Sequence, residues 1–250
     1  MKTVSTRRLL RHRLQQLLLD IRDTMPRLSE AEDAEALHQL RIALRQLRSL
    51  LQALAALPNG KPLRIVQGQL GEFTQRSNSW RDREVRLQQL ETLAAQYDTR
   101  TFAAWRRREA QQLQAGRCQL QQQASELEQL LEASWQHCQP VLSNGSERLR
   151  RGLRSALQRT RRRYRTARVA WRQQAGDEQA EHRVRLLAKR LRYQVEVCAD
   201  VVGKRWLRRA ERAKQCQQQL GDARDRVLLL RSLREDAVPL PAALRRLLGL

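Results

Sequence analysis

Along most of the chain, apolar residues recur every three or four positions with polar residues between them, and the strict alternation of a half-buried strand is hard to find. The clearest case is the helix around the segment HQLRIALRQLRSLL, where Leu37, Leu40, Leu44, Leu47, Leu51 and Leu54 follow one another at 3-4-3-4-3 spacing. Such a stripe is the core seam of a helical bundle. A second seam, Val184, Leu187, Leu191, Val195 and Cys198, runs through EHRVRLLAKRLRYQV, and a third, Leu149, Leu153, Leu157, Thr160, Tyr164, Ala167 and Trp171, through the segment that begins at Glu147.

Proline and glycine punctuate these periodic stretches at Pro26, at Pro58-Asn59-Gly60-Lys61-Pro62, from Pro140 to Gly145, at Gly176-Asp177, at Gly203 and at Pro239 with Pro241. The pattern predicts an all-α protein with helices over about 4–24, 33–57, 63–77, 79–97, 99–122, 124–139, 147–173, 178–202, 204–220 and 223–235, and a short one after Pro239. Ser29-Glu30-Ala31-Glu32 reads as a capping box ahead of the second helix, and SNGSERL as the stop of one half and the start of the next.

Beside the leucine seam, His38, Arg41, Arg45 and Arg48 share one strip of the second helix. The later segment repeats the design with His182, Arg185, Lys189 and Arg192. Asp82 of SWRDREV lies 44 residues after His38, and Asp225 of DARDRV lies 43 after His182, so the two parts share an order of motifs. We read this as an internal duplication, with an N-terminal half over about 4–142, a C-terminal half over about 143–236, and a tail or short helix beyond. If the halves pack about a pseudo-twofold axis, both strips turn toward one central basic cavity.

Charge makes that arrangement consequential. Lys and Arg number 49 against 26 Asp and Glu, a formal charge of +23. Solubility needs far less than this, and the self-repulsion is relieved by a polyanionic partner. The segment Glu147–Arg172 alone carries eleven arginines, of which Arg150, Arg154, Arg161, Arg165, Arg168 and Arg172 form one flank. Guanidinium groups stay charged at physiological pH and bind phosphate oxygens bidentately, and an imidazolium donates from both nitrogens. His12 and His137 lead no such strip and read as ordinary helix residues.

Other classes fit less well. Four scattered cysteines, Cys118, Cys138, Cys198 and Cys216, show neither zinc-site nor disulfide-framework spacing, so neither a metal nor a cofactor is expected. The sequence has no run of apolar residues long enough to span a bilayer and no signal-peptide core, which implies a cytoplasmic location and no membrane partner. Phosphoryl-transfer enzymes hold metal ions with carboxylates, and the basic strips contain no paired carboxylates. Aromatic residues are 4% of the chain and most Trp and Tyr residues fall on apolar seams, so base-stacking platforms are not evident and nucleic acid is expected only as a non-specific competitor.

HQLRIALRQLRSLLQAL and EHRVRLLAKRLRYQVEV, each followed by an RD-containing segment, resemble the two signature regions of the CHAD family, the conserved histidine α-helical domain. The likeness covers about residues 4 to 236. It implies two four-helix-bundle-like halves around a basic cavity and non-catalytic binding of inorganic polyphosphate. Granules of that polymer, or the enzymes that metabolise it, would then be the cellular partners. Carried over position by position, the binding residues would be His38, Arg41, Arg45, Arg48, His182, Arg185, Lys189 and Arg192. The stretch RRRYRTAR is similar to the family's arginine-rich helix and adds Arg161, Tyr164, Arg165 and Arg168. Leu70-Gly71 stands further from Arg81-Asp82 than the family pattern implies, so Asp82 and Asp225 are expected to be structural residues. The ExExK motif of the triphosphatase domains that often accompany this family does not occur here.

Overall fold

The computed structural model describes residues 5–30, 33, 35–94, 100–173 and 176–235. Among these, the chain is all-helical: α1 (Thr6–Arg27), α2 (Ala36–Leu54), α3 (Leu63–Arg76), α4 (Asn78–Ala94), α5 (Arg100–Gln121), α6 (Ala124–Leu142), α7 (Ser146–Gln173), α8 (Glu178–Val197) and α9 (Lys204–Glu235). The expected helix after Pro239 lies outside the described residues.

The leucine stripe does what its period dictates. All six stripe leucines of α2 are buried, and so are Ala36, Ala43, Leu50 and Ala53, which widen the stripe until the helix is enclosed on most sides. α2 packs against α1, α3, α6, α7 and α8, which makes it the central helix of the molecule. α8 buries Val184, Ala188, Leu191 and Val195 and lies against α2, α7 and α9, while α7 buries Leu149, Leu153, Leu157, Thr160 and Tyr164. One polar relay crosses the packed core. Thr160 of α7 donates to Gln194 Oε1 of α8 at 2.7 Å, and Gln194 Nε2 donates to Gln52 Oε1 of α2 at 3.0 Å.

Several boundaries differ from expectation, among them the end of α8, at Val197 rather than about 202. The two segments expected over about 204–220 and 223–235 are one continuous helix, α9, because a single Gly221 in a long periodic stretch weakens a helix without ending it. Pro26 and Pro140 fall inside the last turns of α1 and α6; proline has a helical φ and forfeits only its own N–H bond, so each helix runs on for one or two residues. Glu32 of the expected capping box lies outside the described residues. Ser29 Oγ donates to the Pro26 carbonyl at 2.9 Å, and α2 begins at Ala36 with Asp33 Oδ1 accepting from the Glu35 N–H at 3.1 Å.

The Pro58–Pro62 turn forms as expected, with Asn59 at a φ of 64° and Gly60 so close to α2 that a Cβ there would come within 2.5 Å of the Leu54 carbonyl oxygen. All four cysteines are free thiols. No helix among the described residues is long and apolar enough to cross a membrane.

Candidate anion-binding site

The contact between α2 and α8 brings the two cationic strips together. α8 starts on Asp177, whose Oδ1 accepts from the Gln179 and Ala180 N–H groups at 2.8 and 3.1 Å, and Glu178 and Glu181 place negative charge at the positive end of the helix. One to three turns further on, Arg185, Lys189 and Arg192 meet Arg41 and Arg45 of α2.

Lys189 shows the electrostatic state of this cluster. Burial lowers its pKa, and Arg45, Arg185, Arg41 and Arg192 lower it further, to about 8. Burial and then Arg45 likewise bring Arg41 down to about 10, with Asp82 and Glu84 working weakly the other way. Arg48 is depressed by burial, by Arg45 and by Arg190. Cations crowded into a partly desolvated seam disfavour their own charged forms, and a bound anion would reverse that penalty.

Neutral groups hold these side chains in place. Arg41 donates to Ser77 Oγ at 2.5 Å, to the Thr74 carbonyl at 3.3 Å and to Asn78 Oδ1 at 3.0 Å, all at the α3–α4 junction. Arg45 Nη1 donates to Tyr193 Oη at 2.5 Å. Two cations lie over the Tyr193 ring, with the Arg45 guanidinium 4.9 Å and the Arg192 guanidinium 4.2 Å from its centroid. Arg192 also reaches Glu196 at 3.5 Å, a loose pair one turn away. Arg48 rests its guanidinium against Gly71 of α3, where a Cβ would come within 2.8 Å of Nη2, and its Nε is buried with no protein hydrogen-bond partner. Tyr193 was not singled out in the sequence. A tyrosine at this point of a periodic helix reads as core, and only the fold shows two arginines on its faces.

The two signature histidines have different surroundings. His38 is half-buried, and burial, Arg81, Arg45 and Arg41 lower its pKa against a smaller opposing effect of Glu35. His182 is exposed and lines a groove of about 860 Å³ between α7 and α8. That groove has Arg162, Arg163, Arg183 and Arg190 around it and Leu186 and Leu187 on its apolar wall. Arg190 links the two regions, since its pKa is lowered by burial and by Arg163, and its charge is felt by Arg48.

The flank expected from α7 is divided. Arg161 faces Arg209 of α9, and Arg165 lines a shallow outer groove with Arg162 and Val169. Tyr164 is buried beside the Cys216 thiol, and burial and that thiol raise its pKa, while Arg168 lies next to it with a buried Nε. The α7 arginines that open toward His182 are Arg162 and Arg163, which the helical projection had placed off the strip.

Of the two expected structural aspartates, Asp82 is exposed, and the partly buried ion pair at this point is Arg81 with Glu84 at 2.9 Å. The side chain of Asp225 lies outside the described residues. Among the described residues no group of three or more His, Cys, Asp or Glu side chains could hold a metal ion.

Comparison with known proteins bears on this architecture. No curated protein sequence matches the chain significantly. The crystal structure of the CHAD domain from the plant Ricinus communis superposes with a TM-score of 0.66 at 22% identity, covering 98% of this chain and 83% of that one. A family model described as the CHAD domain matches residues 9–234. With signature segments, helical architecture and family match in agreement over nearly the whole length, the chain belongs to the CHAD domain family.

Proposed function

We propose that this protein binds inorganic polyphosphate, without catalysis, between α2 and α8. The observation that carries the reading is the gathering of Arg41, Arg45, Arg185, Lys189 and Arg192 from two distant stretches of chain into one seam, where burial and then the neighbouring cations lower the pKa of Arg41 and Lys189. A flexible phosphate chain satisfies such a seam by charge and by bidentate oxygens, and asks for no base recognition. Tyr193 is already covered by two guanidinium groups, which leaves it unsuited to stacking on a nucleobase. The internal duplication gives the seam its origin: each copy supplies one cationic strip. Cytoplasmic polyphosphate, free or in granules, is the ligand pool this reading implies.

Calorimetric titration with polyphosphate of defined length tests it. The native chain should bind, and Arg45→Glu combined with Lys189→Glu should weaken binding at least about tenfold, since two favourable phosphate contacts become repulsive ones. Displacement of long-chain polyphosphate by single-stranded or duplex nucleic acid at equal phosphate concentration would replace this reading with nucleic-acid binding.

A further inference from the structure

The groove of about 860 Å³ at His182 has a helix for each wall. Leu186 and Leu187 form its wall on α8, and on α7 the facing residues are Thr166, Ala167 and Ala170, whose short side chains let another helix approach closely. Leu186 is 52% exposed. Val169, 55% exposed, lines the shallow outer groove of α7, which shares Arg162, Thr166 and Ala170 with the larger one, so the two apolar side chains belong to one continuous surface. Among the described residues the other large apolar side chains left exposed, Leu19, Ile65 and Leu207, are on three different helices.

Charge rims this apolar floor. Arg162, Arg163, Arg183 and Arg190 line the groove, and among the described residues none of the four has a carboxylate within ion-pair distance. Asp177 lines it too, but its Oδ1 already accepts from the Gln179 and Ala180 N–H groups that it caps. Glu178 and Glu181 share that end of α8 without lining the groove. A phosphate polymer would satisfy the arginines and leave the leucines in water, and a wholly apolar segment would do the reverse. A helix with an apolar stripe and acidic flanks satisfies both. The lined part of α8 runs from Gln179 to Arg190, about 16 Å by the helical rise, which is the length of three turns of such a helix.

We propose that the α7–α8 groove is the docking site of an acidic amphipathic helix from a partner protein, with its apolar stripe on Leu186, Leu187 and the small residues of α7 and its carboxylates on Arg162, Arg163 and Arg183. A third helix laid between two completes a layer of helix packing, the usual way a groove of this kind is filled. A bilayer is flat and meets the rim of a concave surface before its floor. The chain's own residues after Pro239 are apolar, but they bring Arg245 and Arg246 and no acid, so the rim repels them. None of the docking residues belongs to the α2–α8 seam, so docking does not depend on what that seam binds.

Fluorescence anisotropy with the full-length chain at about 0.15 M sodium chloride tests this, using a labelled peptide of about 16 residues with leucines at 3-4 spacing and glutamate at most other positions. A second peptide has the same composition with its leucines moved off the stripe, and a third carries lysine in place of glutamate. The striped acidic peptide should bind saturably and at least about tenfold more tightly than the rearranged one, and the lysine peptide should not bind. Leu186→Glu with Arg163→Glu, two exposed positions, should weaken the striped peptide at least about tenfold. Ile65→Glu, at a 69% exposed apolar residue of α3, should change nothing. If the double variant melts early, Arg163→Glu and Arg183→Glu singly should each still weaken binding several-fold.

Equal affinity for the striped and rearranged peptides would reduce the groove to a non-specific charge effect and overturn the proposal, as would full binding by the folded variants. Vesicles of phosphatidylcholine and phosphatidylglycerol provide the last comparison. Vesicle binding that the double variant loses and that the striped peptide does not displace would make this face a membrane surface instead.

Discussion

Arg45 of α2 donates a hydrogen bond of 2.5 Å to the phenol oxygen of Tyr193 on α8, joining residues 148 positions apart in the chain. The Arg192 guanidinium also lies over that ring, 4.2 Å from its centroid. A single aromatic side chain thus fixes two like charges near each other without cancelling either. Tyr193→Phe should keep the ring contacts and lose the hydrogen bond, at a stability loss of about 1 kcal/mol in urea unfolding. Polyphosphate affinity should fall with it, because Arg45 loses its orientation; unchanged affinity would show that the bond does not position Arg45.

Salt dependence reports how many cations the ligand engages. If Arg41, Arg45, Arg48, Arg185, Lys189 and Arg192 all contact a flexible polyanion, the logarithm of the binding constant should fall with that of salt concentration at a slope of about −4, taking roughly −0.7 per contact. Titrations between low and moderate sodium chloride measure it. A slope nearer −1 would mean that most of the seam stays out of contact.

Lys189 makes the free protein's stability depend on alkaline pH. Its folded-state pKa is lowered to about 8, so the unfolded chain holds a proton that the folded one releases between there and the ordinary lysine value. The resulting destabilisation is present in full below about pH 8 and disappears as pH rises toward about 10.4. Lys189→Met should therefore stabilise the ligand-free protein at pH 7, by of order 1–2 kcal/mol after solvent screening, and should lack the native chain's gain over that pH window. Thermal unfolding of both proteins in parallel gives the comparison.

Gly71→Ala separates stability from affinity. The new Cβ meets the movable end of Arg48, at 2.8 Å from Nη2 and 3.2 Å from Cζ, and alanine suits a helix interior better than glycine. The melting temperature should hold or rise while polyphosphate binding weakens a few-fold. A variant that binds like the native chain would remove Arg48 from the site.

Gln194→Leu has the opposite signature. Thr160 and Gln52 would both lose their partner in the packed interface of α2, α7 and α8. Stability should drop by about 1–3 kcal/mol, the usual penalty for buried polar groups left unpaired. Binding measured well below the new melting point should be preserved.

How much of this was legible in the sequence follows from what each feature depends on. The seams of α2, α7 and α8 depend on helical period alone, and Leu40, Leu153 and Val184 are buried where the spacing puts them. The cations of α2 and α8 were legible for the same reason, since each strip sits at a fixed angle to its seam. On α7 the pattern leaves the choice open, because the helix is so rich in arginine that either flank satisfies it, and the position of α8 puts Arg162 and Arg163 beside the groove at His182. Tyr193 and Gly71 matter through contacts with other helices, which no one-dimensional spacing encodes. Gly221 illustrates the converse: a residue with a strong local meaning that a long amphipathic helix overrides.

Arg41 is fastened at its far end to Ser77 and Asn78, beyond the α2–α8 seam, at the corner where α3 gives way to α4. A phosphate pulling on that guanidinium would also tug the corner. Occupancy of the seam is in this way transmitted to the start of α4, and a reporter group placed on Asn78 should register the tension.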